Sequence, residues 1–170
     1  MPHIKNKIEW CLRKAEKELQ KSDKHRGLIK TKPDLAVARA HLKKAEHNLK
    51  AVTDFKNIGY SDWSASAAFY SAYHCFLAII TKFGYESRNQ ECTFDLIFNL
   101  IENEQIGLDK KLVEEITSID IHKAHEEPTI VELREESQYG IKLSIEEDKF
   151  KRLLQTAKKI LDKTKEIIEE

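Results

Sequence analysis

Trp63-Ser64-Ala65-Ser66-Ala67-Ala68-Phe69-Tyr70-Ser71-Ala72-Tyr73-His74-Cys75-Phe76-Leu77-Ala78-Ile79-Ile80 has no polar stripe. Alanine, serine and aromatic residues go nearly all round it at helical spacing, so this helix is buried on most faces and sits at the centre of the fold. Its small residues let neighbouring backbones approach closely. Ser61 or Asp62 caps it, it runs from Trp63 to about Phe83, and Gly84 is placed to end it.

The neighbours are amphipathic. Before it, Asp34 caps a helix reaching about Asn57, whose stripe Leu35, Ala38, Leu42, Ala45, Leu49, Val52 has the 3-4 spacing of a bundle seam. A first helix, about Ile4 to Lys21, carries Ile4, Ile8, Leu12, Ala15 and Leu19, and Lys30 to Pro33 is a linker. After the central helix come one over Thr93 to Asn103 and one that follows Asp109, with Leu112, Val113, Ile116 and Ile119 inward, and fades near His125. Thr129 to Leu143 is irregular and charged. Ser144 and Glu147 then form a capping box opening the last helix, with Phe150, Leu153, Leu154, Ala157, Ile160 and Leu161 on one face. The fold class is therefore all-α, an antiparallel up-and-down helical bundle. Residues 1–32 form an N-terminal helical extension to a bundle of residues 33–170.

Composition narrows the function classes. No stretch nears the roughly 18 apolar residues of a membrane span, and Met1 to Lys7 leads into charged sequence, which predicts a cytoplasmic protein that contacts no membrane. Cys11, Cys75 and Cys92 are odd in number and far apart, so they read as buried free thiols and not as a disulfide framework or zinc knuckle. Net charge is zero, but residues 1–56 hold 15 Lys/Arg against 7 Asp/Glu and the remainder 14 against 22. A basic N-terminal third faces phosphates or an acidic partner, unless the two charge sets cancel within the fold.

No dimetal site is expected: none of the seven histidines has Glu three residues before it, as carboxylate-bridged sites in bundles require. His122 and His125, beside Asp120 and Glu126, lack a third ligand in sequence and read as a solvated helix end. The dispersed glycines form no phosphate loop or dinucleotide fingerprint, and no cofactor is expected. Any phosphate must be held by side chains. Tyr70, Tyr73 and His74, on the central helix, are candidates to line a polar pocket, the plainer reading being hydrogen-bonded core residues. Arg134, able to grip phosphate with two parallel hydrogen bonds, precedes Tyr139 by five residues.

The run Tyr60 to Ala78, followed by Phe83-Gly84-Tyr85, together with Ala38-Arg39-Ala40-His41-Leu42-Lys43-Lys44-Ala45 before it, resembles the HEPN domain (higher eukaryotes and prokaryotes nucleotide-binding). Arg134, Tyr139 and the closing helix occupy that family's usual places, and the resemblance covers about residues 33–165. It implies a four-helix core that commonly forms a homodimer, often encoded beside a minimal nucleotidyltransferase in a toxin–antitoxin-like pair. It also implies, for active members, a metal-independent RNase with Arg-x(4–6)-His at a dimer cleft, where Arg holds phosphate and His moves protons at the 2′-hydroxyl. Here Arg134 matches the Arg, but Tyr139, Gly140 and Ile141 stand where His belongs. A tyrosine, with a pKa of about 10, is a poor general base at neutral pH, whereas histidine near 6.5 is well matched. The expectation is a non-catalytic member that binds nucleotide, RNA or a nucleotidyltransferase partner, with Arg134, Tyr139, Tyr70, Tyr73 and His74 near the ligand. The competing readings are a divergent RNase using Arg134 with Tyr139 or His74, and a helical interaction module without a ligand.

Overall fold

A computed structural model of the protein describes residues 2–117 and 128–170, with side chains from Ile4 onward. The elements are α1 (Pro2–Leu19), β1 (Leu28–Lys30), α2 (Leu35–Asn57), α3 (Asp62–Lys82), β2 (Tyr85–Ser87), α4 (Gln90–Glu102), α5 (Lys110–Ile116), α6 (Ile130–Tyr139) and α7 (Glu147–Glu169). Among the described residues the fold is all-α apart from two short strands.

As its composition predicts, α3 is central. Thirteen of its residues are buried, among them Ser64, Ser66 and Ser71, and it packs against α2, α4, α6 and α7. The α2–α3 seam shows why serines sit there. Ala38, Ala45 and Val52 of α2 are fully buried, and their small size brings the backbones close enough for α3 side chains to reach α2 carbonyls. The Ser64 hydroxyl donates to the Val52 carbonyl at 2.7 Å and Ser71 to the Ala45 carbonyl at 2.9 Å. Each bond satisfies a buried hydroxyl that would otherwise cost about 1–3 kcal/mol.

Several boundaries differ from the sequence reading. Ser61 begins α3 without a side-chain cap bond, because its hydroxyl instead accepts from the Ile145 N–H at 3.1 Å. That same bond explains why Ser144 does not open α7. The chain there is tied to the start of α3, and α7 begins at Glu147 after Glu146, which makes no cap bond with its side chain. The capping box falls earlier, at Thr129 and Glu132, and it starts α6, a helix where the sequence reads as irregular. The fifth helix stops at Ile116, where Thr117 turns extended, short of the end near His125 that the sequence suggests; the predicted inward position of Ile119 lies outside the described residues.

The linker before α2 contains β1, which pairs antiparallel with β2 in the register Leu28 with Ser87 and Lys30 with Tyr85. Two glycines make this ribbon possible. A Cβ on Gly27 would lie 2.5 Å from the Cys11 carbonyl oxygen of α1. Gly84 has φ +76° and sits against the Thr31 carbonyl, whose own N–H bonds to the Gly84 carbonyl at 2.8 Å.

The ribbon carries α1 back across α4, where Cys11 and Cys92 form a disulfide. This corrects the free-thiol reading for two of the three cysteines; Cys75 is free and buried. The pairing was hidden because the partners are 81 residues apart and are brought together only by the ribbon and the α1–α4 packing. Burial pushes the Cys75 thiol up to about 12, so it is inert at neutral pH.

The charge asymmetry is partly cancelled internally. Lys7 meets Asp95 at 3.5 Å and Lys56 meets Glu147 at 2.5 Å, joining the basic third to the acidic remainder. Each pair has at least one exposed or half-exposed partner, although Asp95 is buried, and the more exposed Lys56–Glu147 pair contributes at most about 1 kcal/mol.

Two outcomes are expected. Replacing Ser71 with Leu should force the α2–α3 seam apart and lower unfolding free energy by about 1–3 kcal/mol, whereas Ser71→Ala should cost only about 1 kcal/mol, both read from urea denaturation. Thiol titration of unreduced protein in denaturant should find one reactive thiol, and Cys11→Ser should cost about 2–4 kcal/mol through the long loop it opens.

Candidate functional site

The five candidate side chains do not converge on one point. Arg134, Tyr70 and Tyr73 gather where α6 crosses α3. His74 turns to another side of α3, and Tyr139 projects from the end of α6.

Arg134 lies on the inner side of α6 between the buried Leu133 and Val131 turn and α3. Its guanidinium carbon stands 4.3 Å over the Phe69 ring, a cation–π contact. The side chain is only 13% exposed, and its nearest carboxylate is Glu135, with Nη2 at 3.9 Å from Oε1. Its Nε–H is buried without an acceptor. A guanidinium held by its flat face against a ring keeps the fork geometry with which Arg pairs an oxyanion. One turn further on, Gln138 donates to the Ser66 hydroxyl at 3.3 Å, fastening the end of α6 to α3.

The tyrosines frame the same crossing. Tyr70 packs edge-on to Phe69, with centroids 5.2 Å apart, and is half-exposed. Tyr73 stacks on Phe69 at 5.9 Å and its hydroxyl lies 3.3 Å from Thr93 Oγ1. Burial raises the Tyr73 pKa, the Thr93 contact opposing this in part. Tyr73 therefore stays a neutral phenol at physiological pH and serves the core more than a ligand.

His74 faces α2. Its Nδ1 is 3.1 Å from Nδ1 of His41, and burial, then the neighbouring His41 and Lys44, pull its pKa down to about 4. Burial lowers His41 as well. Arg134 touches Phe69 and Glu135 and no imidazole, so the proton shuttle that the Arg-x(4–6)-His arrangement supplies has no counterpart beside Arg134 among the described residues. His122 and His125 lie outside them. Among the described residues no group of three or more His, Cys, Asp or Glu side chains could hold a metal ion.

Sequence reasoning missed the surface beside Arg134. Tyr139, Ile141 and Leu143 are 85%, 97% and 82% exposed. The Ile145–Ser61, Gln138–Ser66 and Lys56–Glu147 contacts hold this segment alongside the start of α3, where Ile58, Tyr60 and Trp63 are also exposed. The alternation Tyr139, Ile141, Leu143 was a signal in the sequence, but nothing there said that it would face outward. A cavity between α6 and α7, lined by residues including Leu133, Ser137 and Lys149, measures only 30 Å³. That is room for one or two waters. A nucleotide cannot enter it.

His41 and His74 bear on stability. Both are held neutral in the fold, so between the unfolded value near 6.5 and about 4 the unfolded chain binds more protons. The pair's stability is fully present above pH 6.5 and falls as pH drops through that window. Comparing thermal midpoints at pH 7.5 and 4.5 should show a smaller acid loss for His74→Gln than for the unaltered chain.

A family model described as HEPN domain matches residues 38–168, from within α2 to the end of α7. The match leaves α1 and β1 outside it and takes in Arg134 and Tyr139. No curated protein matches the chain.

Proposed function

This chain belongs to the HEPN domain family, and we propose that it is a non-catalytic member that binds RNA or a nucleotide at a surface containing Arg134, as a homodimer and in company with a nucleotidyltransferase. The observation that carries the reading is the setting of Arg134: its guanidinium is pinned flat on Phe69 with a buried Nε–H lacking an acceptor, and no imidazole is among its contacts. A guanidinium fixed in this way keeps its fork pre-organised for a phosphate oxygen. Cleavage at the 2′-hydroxyl needs a group that takes and gives a proton near neutral pH, and Tyr139 is an exposed phenol at the end of α6.

The homodimer is supported by the exposed Tyr139, Ile141 and Leu143 beside Ile58, Tyr60 and Trp63. A cluster of large apolar side chains on one surface is the mark of an interaction site. A ligand of nucleotide size does not fit the water-sized cavity behind α6, so on this reading it is bound on the surface or between copies. Tyr70 and Tyr139, both exposed, offer rings on which unpaired bases stack, at about 1–3 kcal/mol per base. A toxin–antitoxin-like pairing with a minimal nucleotidyltransferase rests on the family alone. On this reading residues 1–32 are an extension clasped to the bundle of residues 33–170, and the protein works in the cytoplasm.

The test is fluorescence anisotropy with labelled single-stranded RNA in chelator, with the RNA run on a gel afterwards. The unaltered chain should bind and leave the RNA intact. Arg134→Lys, which keeps the charge but loses the fork, should weaken binding about tenfold or more, as expected for loss of a charge-assisted hydrogen bond. Cleavage that disappears in Arg134→Lys would replace this reading with a divergent nuclease. Binding to neither RNA nor nucleotides would leave a plain interaction module. Light scattering should give a dimer that Ile141→Lys converts to monomer.

A further inference from the structure

Along the α2–α3 seam the contacts run in opposite order on the two helices: Val52 with Ser64, Ala45 with Ser71, then His41 with His74. At the first two positions a hydroxyl meets a carbonyl. At the third, two imidazoles point the same nitrogen at each other, Nδ1 to Nδ1 at 3.1 Å, with ring centroids 5.3 Å apart. Only one of the two can carry a proton for this contact to be a hydrogen bond, so the rings must hold opposite tautomers.

We propose that His41 and His74 form a two-imidazole site for a late first-row divalent cation such as Zn²⁺, each ring donating Nδ1. The geometry supports it in three ways. Zinc binds imidazole nitrogen at about 2.0–2.1 Å, so two donors at a tetrahedral angle are about 3.3 Å apart; the observed 3.1 Å is met by a small rotation of either ring. The rings come from two long helices whose spacing is fixed by the serine bonds below them, so the donors are held in place before the ion arrives. His41 also lines a groove of 410 Å³ bounded by Asp34, Thr81, Glu86 and Arg88, which has room for the waters that complete the coordination.

The chemistry of the donors agrees. Both imidazoles are held neutral by burial, so at neutral pH no proton competes for the lone pairs. Lys44 is the cation that acts on His74, and it opposes a second positive charge; the adjoining groove sets Asp34 and Glu86 against Lys32 and Arg88 and is itself balanced. With no third protein ligand among the described residues, the site is open, weaker than a structural zinc site, and its remaining positions are free to take an exogenous oxygen or nitrogen donor. The search for Glu-x-x-His could not have found it, because the ligands are 33 residues apart on separate helices. The site stands apart from Arg134 and does not depend on the RNA-binding reading.

The experiment is calorimetric titration of the full chain with Zn²⁺ at pH 7.5, beside a long-range ¹H–¹⁵N spectrum of its imidazoles. The expected result is that Zn²⁺ shifts the His41 and His74 nitrogens before those of the other histidines. His41→Gln and His74→Gln should each weaken the tightest binding event about tenfold or more, equivalent to about 1.4 kcal/mol. If a variant fails to fold by circular dichroism, the spectrum of the unaltered chain decides alone. Zn²⁺ that leaves both rings unshifted, or binds the folded variants as tightly as the parent, overturns the proposal and leaves a hydrogen-bonded histidine pair.

Discussion

The close approach of α2 to α3 is the constraint on which the other features depend. Alanines on α2 and serines on α3 let the backbones come near enough for Ser64 and Ser71 to donate into helical carbonyls. Those carbonyls already accept within α2 and still have a lone pair to offer. The seam therefore gains directional bonds where an all-apolar interface would have only packing, and it fixes the register of the two helices. From that register follow the meeting of His41 with His74 and the face of α3 left for α6. Arg134 then rests on Phe69 where α6 covers this face.

Much of this was legible in the sequence for a plain physical reason. A helix without a polar stripe has to be surrounded, and one helix in this chain lacks such a stripe. Capping by Asp34 was equally readable, since its carboxylate accepts from the Val37 N–H at the start of its own helix. Features that depend on partners distant in sequence were not. Ser144 and Glu147 satisfy a local capping pattern, yet Ser61 captures the Ile145 N–H and α7 starts later. Thr129 and Glu132 satisfy the same pattern and do form the box, but charge along Thr129 to Leu143 hid the short apolar face of Ile130, Val131 and Leu133. The Cys11–Cys92 bond needed the ribbon between β1 and β2, which three-residue strands in a helical chain do not announce.

For the candidate site the division is similar. Arg134 and Tyr139 were picked out by residue type and spacing. Sequence could not show that they part company, Arg134 turning in to Phe69 and Tyr139 turning out beside Ile141 and Leu143. Their divergence recasts their roles. In the proposed function Arg134 is the anion contact, and Tyr139 belongs to the exposed aromatic and aliphatic surface offered to a base or a second copy. His74, a candidate substitute for the absent histidine, is instead engaged with His41, at a pKa of about 4 that makes it a weak base at neutral pH.

Photo-crosslinking to RNA containing a halogenated uridine, with the attached peptides identified by mass spectrometry, tests the central claim most directly. The account predicts adducts on the peptides bearing Tyr139 and Tyr70, carried by RNA of unchanged length. Adducts confined to α1 or α7, or attached fragments ending in a 2′,3′-cyclic phosphate, would contradict it.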